Sequence, residues 1–409
     1  MIIKIEKLDH QGRGIGFINE KIVFVPFALP GDIVDIKITK DKKNFCEGSI
    51  IKYIEKSKMH IDSICPYFEI CGGCDLRHIS YDDELKFKEN KVKEILSKFT
   101  RDDIKVNNII GSEEIEMYRN KIKFAVNKKL GLIKRNSHEI IEIDKCLLAD
   151  SKINELISEI NKCNLNGIQN ITIRKSYFTN DTMLIVDIIG EKNIDKSLTN
   201  LEKYVDSLIF TKNGNILKTI GKGNIIEKLD NLTYKISPNS FFQVNSRQTV
   251  KLYDLVLEKA SPTKDEIVYD LFCGTGTIGL YLSRSAKKVI GVEINKDAIR
   301  DANENKKINN IENVEFYAED VTKFVDRKLD KPDVVVFDPP RAGLNKKIID
   351  TIKSFSPKKI VYVSCDPVTL ARDLKDFSDK YEIIDVTPVD MFPRTYHVEC
   401  VCLLTKKVI

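Results

Sequence analysis

From about residue 241 to the C-terminus, short apolar segments alternate with helical patterns. IVYDLF, VIGVEI, VEFYAED, DVVVFD and KIVYVSC are the strand candidates, with a helical stretch between each and the next. Strands this short and this apolar must be covered on both faces. A helix between successive strands makes them parallel. The pattern therefore predicts an α/β fold with a doubly wound sheet, whose ligand crevice lies beyond the carboxyl ends of the strands. Two later strands, EIIDVTPV and HVECVCLLT, have no helix between them and are expected to pair antiparallel at one edge.

Upstream the pattern changes twice. Residues 1–57 hold five short alternating runs, IIKIEKL, GRGIGFI, KIVFVPFAL, DIVDIKITK and CEGSIIKYI, separated by Gly, Asn, Pro and Asp. Five strands in so short a stretch must curl to bury an apolar face, which predicts a small closed barrel. Residues 58–240 read as an α+β central domain. Leu85, Val92, Ile95, Leu96 and Phe99 have helical spacing, and Ser151 to Ile160 reads as a second helix. Ile115 to Ile143 reads as strand pairs turning at Lys129-Leu130-Gly131, and ITIRKSYF with TMLIVDII as a hairpin across Thr179-Asn180-Asp181. The expected organisation is thus 1–57, 58–240 and 241–409.

Composition narrows the class. A 409-residue chain with 42% hydrophobic and 31% charged residues reads as globular and soluble, not as a disordered tail, a collagen or a disulfide scaffold. MIIKIEKLDHQGRGIGF lacks the basic and apolar regions of a signal peptide, and no apolar run approaches the about 18 residues of a membrane helix. A cytoplasmic location is expected, with no membrane partner and no obligate protein partner evident. The net charge of +5 does not by itself demand a nucleic-acid partner.

The glycine turn after the first α/β strand is DLFCGTGTIG, with Gly274, Gly276 and Gly279 in GxGxxG spacing. That spacing alone is weak evidence for any cofactor. Asp270, four residues before the first glycine, would repel a pyrophosphate at the helix N-terminus but suits the cationic methionine portion of S-adenosylmethionine. Glu293, ending the second strand, is placed to accept from ribose hydroxyls, and Asp320, ending the third, to meet the adenine amino group. The set favours S-adenosylmethionine over a dinucleotide.

The fourth strand ends Asp338-Pro339-Pro340-Arg341, where the two prolines force a rigid extended turn. Amino-methylating enzymes often carry an aromatic residue after the prolines; Arg341 argues against that chemistry. The fifth strand ends at Cys365, a thiol at the ligand-binding edge, and the N-terminus of the following helix is expected to stabilise its thiolate. Cys273 sits inside the glycine turn and is expected to pack against the cofactor. Glu399 opens the final strand as a candidate base. One thiol and one carboxylate suit methylation of carbon 5 of uracil. That carbon is a poor nucleophile until a thiolate adds at carbon 6, and its proton must then be removed.

Ten cysteines in a cytoplasmic chain are expected to be mostly reduced. Cys65, Cys71 and Cys74 have C-x5-C-x2-C spacing, odd for zinc; iron–sulfur, zinc and unligated thiols all remain open on spacing alone. Met117 to His138 carries seven basic residues and no acidic one, including Arg119, Lys121 and Lys123, with Tyr118 and Phe124 between them. Cations for phosphates and rings for stacking predict contact with single-stranded or looped RNA.

Ser237-Pro-Asn-Ser-Phe-Phe-Gln-Val-Asn245, DLFCGTGTIG, DPPRAG, SCDPVTLARD and PRTYHVE occur in this order. In them the chain resembles the RNA (uracil-5-)-methyltransferases. The resemblance implies that Gln243, Phe272, Glu293 and Asp338 line the S-adenosylmethionine and uracil pocket and that Phe241 packs near the target base. It likewise implies Cys365 as nucleophile and Glu399 as proton acceptor, with Gly274 in the cofactor turn. Residues 1–57 look like a TRAM domain, an OB-like barrel that binds RNA. The cysteine stretch, with Cys146 as fourth ligand, is similar to the [4Fe-4S] motif of the family's ribosomal members. By that resemblance the substrate is 23S ribosomal RNA, with a tRNA uridine as the alternative, since the tRNA-specific bacterial branch typically lacks both features.

Overall fold

The computed structural model describes residues 1–99, 104–190, 195–327 and 330–407, without the side chain of Phe99. The chain divides into two compact units. One comprises Met1–Lys91, Leu132–Ile141 and Phe392–His397; the other comprises Val92–Gly131, Glu142–Met391 and Val398–Ile409.

In the first unit, β1 (Ile2–Lys4), β2 (Lys7–Leu8), β3 (Gly14–Ile18), β4 (Lys21–Val25), β5 (Ile33–Asp41) and β6 (Phe45–Glu55) form one sheet in the order β1-β5-β6-β4-β3-β2. Six strands stand where five runs were expected, because IIKIEKL changes partner midway. Its first half pairs with β5 and its second with β3. One run thus supplies both edges of the sheet, which curls it around Ile3, Ile5, Val23, Val25, Val34 and Ile36. Beyond the barrel lies α1 (Tyr81–Phe99). Inside its first half, Lys88 and Glu84 form a fully buried ion pair at 2.7 Å, and Lys88 also donates to the Phe392 carbonyl. The Arg394 amide donates to Glu84 at 2.7 Å, so the buried charges are hydrogen-bonded as well as paired. The Phe99 side chain, expected on the apolar face of α1, lies outside the described residues.

Next along the chain comes a seven-stranded sheet. Its strands are β7 (Lys121–Val126), β8 (Leu130–Ile133), β9 (Ile140–Glu142), β10 (Ile168–Lys175), β11 (Thr182–Ile188), β12 (Ser207–Lys212) and β13 (Asn215–Gly221), ordered β13-β12-β11-β10-β7-β8-β9. α2 (Ser151–Ile160) is capped by Asp150 and buries Ile153, Leu156, Ile157 and Ile160, a stripe at helical spacing. The short α3 (Lys196–Thr199) precedes β12. The expected hairpin is present as antiparallel β10 and β11, with Asn180 in the left-handed conformation its turn requires. The expected turn at Lys129-Leu130-Gly131 is corrected to Asn127–Lys129. Leu130 is fully buried and starts β8, while Lys128 and Lys129 take the exposed tip.

A hairpin of β14 (Ile225–Leu229) and β15 (Leu232–Ile236) and the helix α4 (Ser246–Ala260) lead into the doubly wound part. Its strands are β16 (Ile267–Leu271), β17 (Lys288–Glu293), β18 (Val314–Ala318), β19 (Val334–Phe337), β20 (Lys359–Ser364), β21 (Tyr381–Val389) and β22 (Glu399–Lys406), ordered β18-β17-β16-β19-β20-β22-β21. The five strands β16 to β20 are parallel, and α5 (Thr277–Leu282), α6 (Lys296–Ile308), α7 (Val321–Phe324), α8 (Lys346–Phe355) and α9 (Pro367–Phe377) follow them in turn. As expected, β21 and β22 pair antiparallel, and β22 also runs against β20. The order reverses beside β16, which places the crevice at the ends of β16 and β19. No helix among the described residues is long and apolar enough to cross a membrane.

Candidate active site

One edge of the doubly wound sheet collects most of the cofactor-binding and catalytic residues expected from sequence. Phe272 and Gly274 follow β16, Glu293 ends β17, Asp320 follows β18, Asp338 follows β19 and Cys365 follows β20. Glu399 reaches the same edge by the opposite route. It opens β22, and because β22 runs against β20 its first residue lies where β20 ends. Ser364 faces Cys400 in the register, so the next pair outward is Cys365 and Glu399.

The glycine turn is shaped by close approach. Gly276 has φ 78°, and a Cβ there would come within 2.5 Å of the Phe316 ring. At Gly274, also left-handed, a Cβ would meet nothing within 4 Å, so the turn borders open space. Phe272 has φ 65°, a strained conformation for a bulky residue and of the kind held at functional sites. The Gly274 amide donates to Glu293 Oε2 at 3.3 Å, and the Asn295 amide to Oε1 at 2.9 Å. Cys273 is buried, and its sulfur lies 3.1 Å from where a Cβ on Gly291 would stand. Asp320 caps α7 through the Thr322 amide, which holds its carboxyl below the ordinary range together with the Thr322 hydroxyl.

Acids crowd the crevice. Asp270 is fully buried, and the Gly279 amide gives its carboxylate only weak support. Burial, reinforced by the nearby charge of Asp338, pushes it up to about 8. Burial raises Asp338 to about 7, and burial with Asp338 alongside raises Glu399 to about 8. A carboxylate group short of partners is the environment a cationic cofactor fits, since the cation restores the charged forms.

Cys365 departs from expectation. Its thiol is pushed up to about 11, by burial first and then by Glu399 and Asp338. The helix that follows gives it less help than expected because Asp366 is the N-cap of α9, and its carboxylate already takes the Val368 and Thr369 amides.

Sequence reasoning missed the frame beneath the loop 237–245. Arg174, 1% exposed, donates to the carbonyls of Ser240 (3.0 Å) and Phe242 (3.3 Å). Asp301 on α6 accepts from the hydroxyls of Ser237 and Ser240, both at 2.6 Å. Glu227 accepts from Ser246, and Asn245 caps α4. The loop so tethered buries Gln243 and leaves Phe241 65% exposed. The available signal was a lone arginine in the apolar run ITIRK.

The basic stretch is less of a surface than it reads. Tyr118 and Phe124 are buried, so neither ring is open for stacking. Strand alternation turns Ile122 and Phe124 inward and leaves Lys123 exposed, 3.7 Å from Asp187. Arg119 and Lys121 are half-buried, and burial brings Lys121 down to about 8. Arg135 is paired with Asp75 at 2.8 Å and lies over the Phe27 ring.

Cys65, Cys71, Cys74 and Cys146 are half-buried. Their soft sulfur donors match iron–sulfur chemistry. Among the described residues, however, no three His, Cys, Asp or Glu side chains are grouped to hold a metal ion.

Residues 80–407 match the tRNA (Uracil-5-)-methyltransferase family, and residues 1–51 match the TRAM domain. The chain belongs to the tRNA (uracil-5-)-methyltransferase family. It is 39% identical to an uncharacterized RNA methyltransferase of Clostridium acetobutylicum, over 99% of this chain and 96% of that one. A Clostridium tetani RNA methyltransferase is 36% identical over 98% and 95%. Among solved structures, the Pyrococcus abyssi tRNA (uracil-54, C5)-methyltransferase in complex with S-adenosyl-L-homocysteine superposes with a TM-score of 0.82. It is 30% identical, with 99% of this chain and 100% of that one covered. This family member is therefore an S-adenosylmethionine-dependent RNA methyltransferase acting on carbon 5 of uracil.

Proposed function

We propose that the protein methylates carbon 5 of a uridine in 23S ribosomal RNA through a covalent enzyme–uracil adduct. The observation that carries the mechanism is the nearness of Cys365 and Glu399 at the crevice edge, each next to the last β20–β22 pair, Ser364 with Cys400, with Glu399 close enough to raise the thiol. S-adenosylmethionine, when bound, supplies a methyl group on positively charged sulfur. Asp270 and the glycine turn hold its cationic end, Glu293 its ribose, and Asp320, Phe272, Gln243 and Asp338 complete the pocket. The Cys365 thiolate forms a bond to carbon 6, and the displaced π electrons gather on carbon 5 and the neighbouring carbonyl. Carbon 5 then takes the methyl as its bond to sulfur breaks, the electron pair staying on the now neutral sulfur, and carbon 5 is left with one proton too many. Glu399, as carboxylate, removes that proton; the electrons restore the ring double bond and expel the thiolate. Phe241 stands exposed on its tethered loop to pack near the target base. Arg119, Lys121 and Lys123 contribute phosphate contacts, with Lys123 the most open. The barrel of residues 1–57 and the central residues 58–240 carry RNA recognition, and residues 241–409 the chemistry. Cys65, Cys71, Cys74 and Cys146 are the proposed [4Fe-4S] ligands, on donor chemistry and family resemblance; no catalytic step depends on them.

The ribosomal target rests on the barrel and cysteine motif. A tRNA uridine is the second reading, favoured by the Pyrococcus abyssi enzyme, a tRNA methyltransferase that matches this chain over its whole length. Architecture alone therefore does not separate the two targets. Mapping 5-methyluridine in ribosomal RNA and tRNA from a strain lacking the protein does. Loss from 23S RNA supports the first reading and loss from tRNA the second. Labelled S-adenosylmethionine with unmodified RNA tests the chemistry, and normal methylation by Cys365→Ala would refute the covalent route.

A further inference from the structure

The first unit contains a cavity of about 230 Å³ that the methyl-transfer chemistry does not use. We propose that it takes one unpaired nucleobase of the RNA substrate, other than the methylated uridine, with His78 reading the edge of the base. The inference rests on the RNA-methylation reading above.

His78 is 5% exposed at the cavity wall, and neither of its ring nitrogens has a hydrogen-bond partner. Burial, with His60 alongside, pushes it down to about 3, so the ring is neutral and offers one donor and one acceptor. Buried polar atoms are nearly always satisfied, so an imidazole with both nitrogens unmet points to a ligand that meets them. His60, the neighbouring imidazole, is already engaged: its Nε2 lies 3.0 and 2.9 Å from the two oxygens of Asp32. Asp32 in turn accepts from the Leu29 and Ser57 amides, which fixes this side of the cavity.

Aromatic rings form much of the remaining wall, together with Ile61, Ser63 and Cys65. Phe68 and Phe27 pack on His78 with ring centroids at 5.5 and 5.9 Å, and Tyr53 packs edge-on to His60 at 5.4 Å. Flat aromatic rings set among polar groups, with an unmet imidazole nitrogen to pair with, match a planar heterocycle that has polar edges. The cavity is smaller than the about 300–1,000 Å³ of drug-sized sites, which matches a single base. Lys56, exposed at the rim over the Tyr53 ring, is placed for the adjoining phosphate. Asp62 and Glu69 also line the cavity and disfavour drawing the phosphate inside.

The test uses the full chain and a set of RNA substrates in which each nucleotide other than the target uridine is made abasic in turn. For the wild type, one abasic position is expected to raise KM about 10- to 100-fold with kcat held. His78→Leu is expected to raise KM on intact RNA by a similar factor and to suffer no further loss at that abasic position. His78→Asn, which keeps a donor and an acceptor, is expected to recover part of the affinity. Ser63→Trp fills the cavity from its lining while the imidazole stays in the chain, and should raise KM on intact RNA with no further loss at that abasic position. Unchanged KM in Ser63→Trp, or penalties that simply add at every abasic position, would overturn the proposal. If the wild type methylates no RNA at all, the methyltransferase reading fails instead.

Discussion

Cys365 and Glu399 face each other in a crevice whose free-state charges oppose catalysis. Both groups must lose a proton to act, yet burial and neighbouring acids hold Glu399 at about 8 and Cys365 at about 11. For the free enzyme, kcat/KM is therefore expected to rise with pH from 6 to 9, as a pH–rate profile would show. Glu399→Gln should lower turnover about 10²- to 10⁴-fold, the range for a lost general base, while a covalent RNA adduct accumulates on denaturing gels. An adduct-free Glu399→Gln enzyme would remove Glu399 from the proton-acceptor role. The same acids govern stability. Asp270, Asp338 and Glu399 are all raised above ordinary carboxylate values in the fold. Their contribution is therefore complete below the unfolded range near pH 4, and is lost as pH rises through about 7 to 8. The Tm of ligand-free protein is expected to fall between pH 5 and 8.5, with Asp270→Asn flattening the profile. S-adenosylmethionine should raise Tm more at pH 8.5 than at pH 5. The identities of these residues were legible in the motifs. Their protonation was not, because it depends on burial and on which carboxylates end up as neighbours. For that reason the expected stabilisation of the Cys365 thiolate gave way to a raised thiol.

At the scale of elements, two features make the site. The reversal of β22 brings Glu399 to the edge where parallel strands end, and its legible sign was the missing helix between the last two apolar runs. The loop 237–245 depends on partners far away in sequence, Arg174 and Asp301, and only their burial reveals them. Arg174→Met should leave the Ser240 and Phe242 carbonyls without their donor, costing about 1–3 kcal/mol for each in denaturant unfolding. A loss below about 1 kcal/mol would show that the loop is held by other means. Periodicity located β10, β11 and α2 correctly, since each has a clear apolar face. It failed for the basic stretch, where a strand of alternating Lys and apolar residues reads as cations with interleaved rings. The pleat of β7 sends Phe124 into the interior, and Tyr118, ahead of the strand, is buried as well.

For the whole molecule, the chain's segments are not grouped in the order of sequence. Leu132–Ile141 and Phe392–His397 count with the N-terminal unit, a grouping that local pattern does not carry. The four cysteines make a prediction at this scale. Protein purified without oxygen is expected to contain about four iron and four sulfide per chain by the cluster type proposed, with the charge-transfer absorption of such a cluster. Cys71→Ser should lose that absorption, whereas metal-free wild-type protein would refute the assignment. RNA affinity should weaken with salt, since phosphate contacts release counterions.

The sequence by itself determined the doubly wound sheet, the cofactor turn and the candidate thiol and base, because these follow from short-range patterns: strand length, glycine spacing and the residue at each strand end. The tertiary structure decided which of those residues are charged, which rings are exposed, what anchors the loop 237–245 and where an unmet imidazole lines a cavity. Each of these depends on burial and on neighbours distant in the chain, and no local pattern encodes the dielectric or the company a side chain will find once the chain has closed around it.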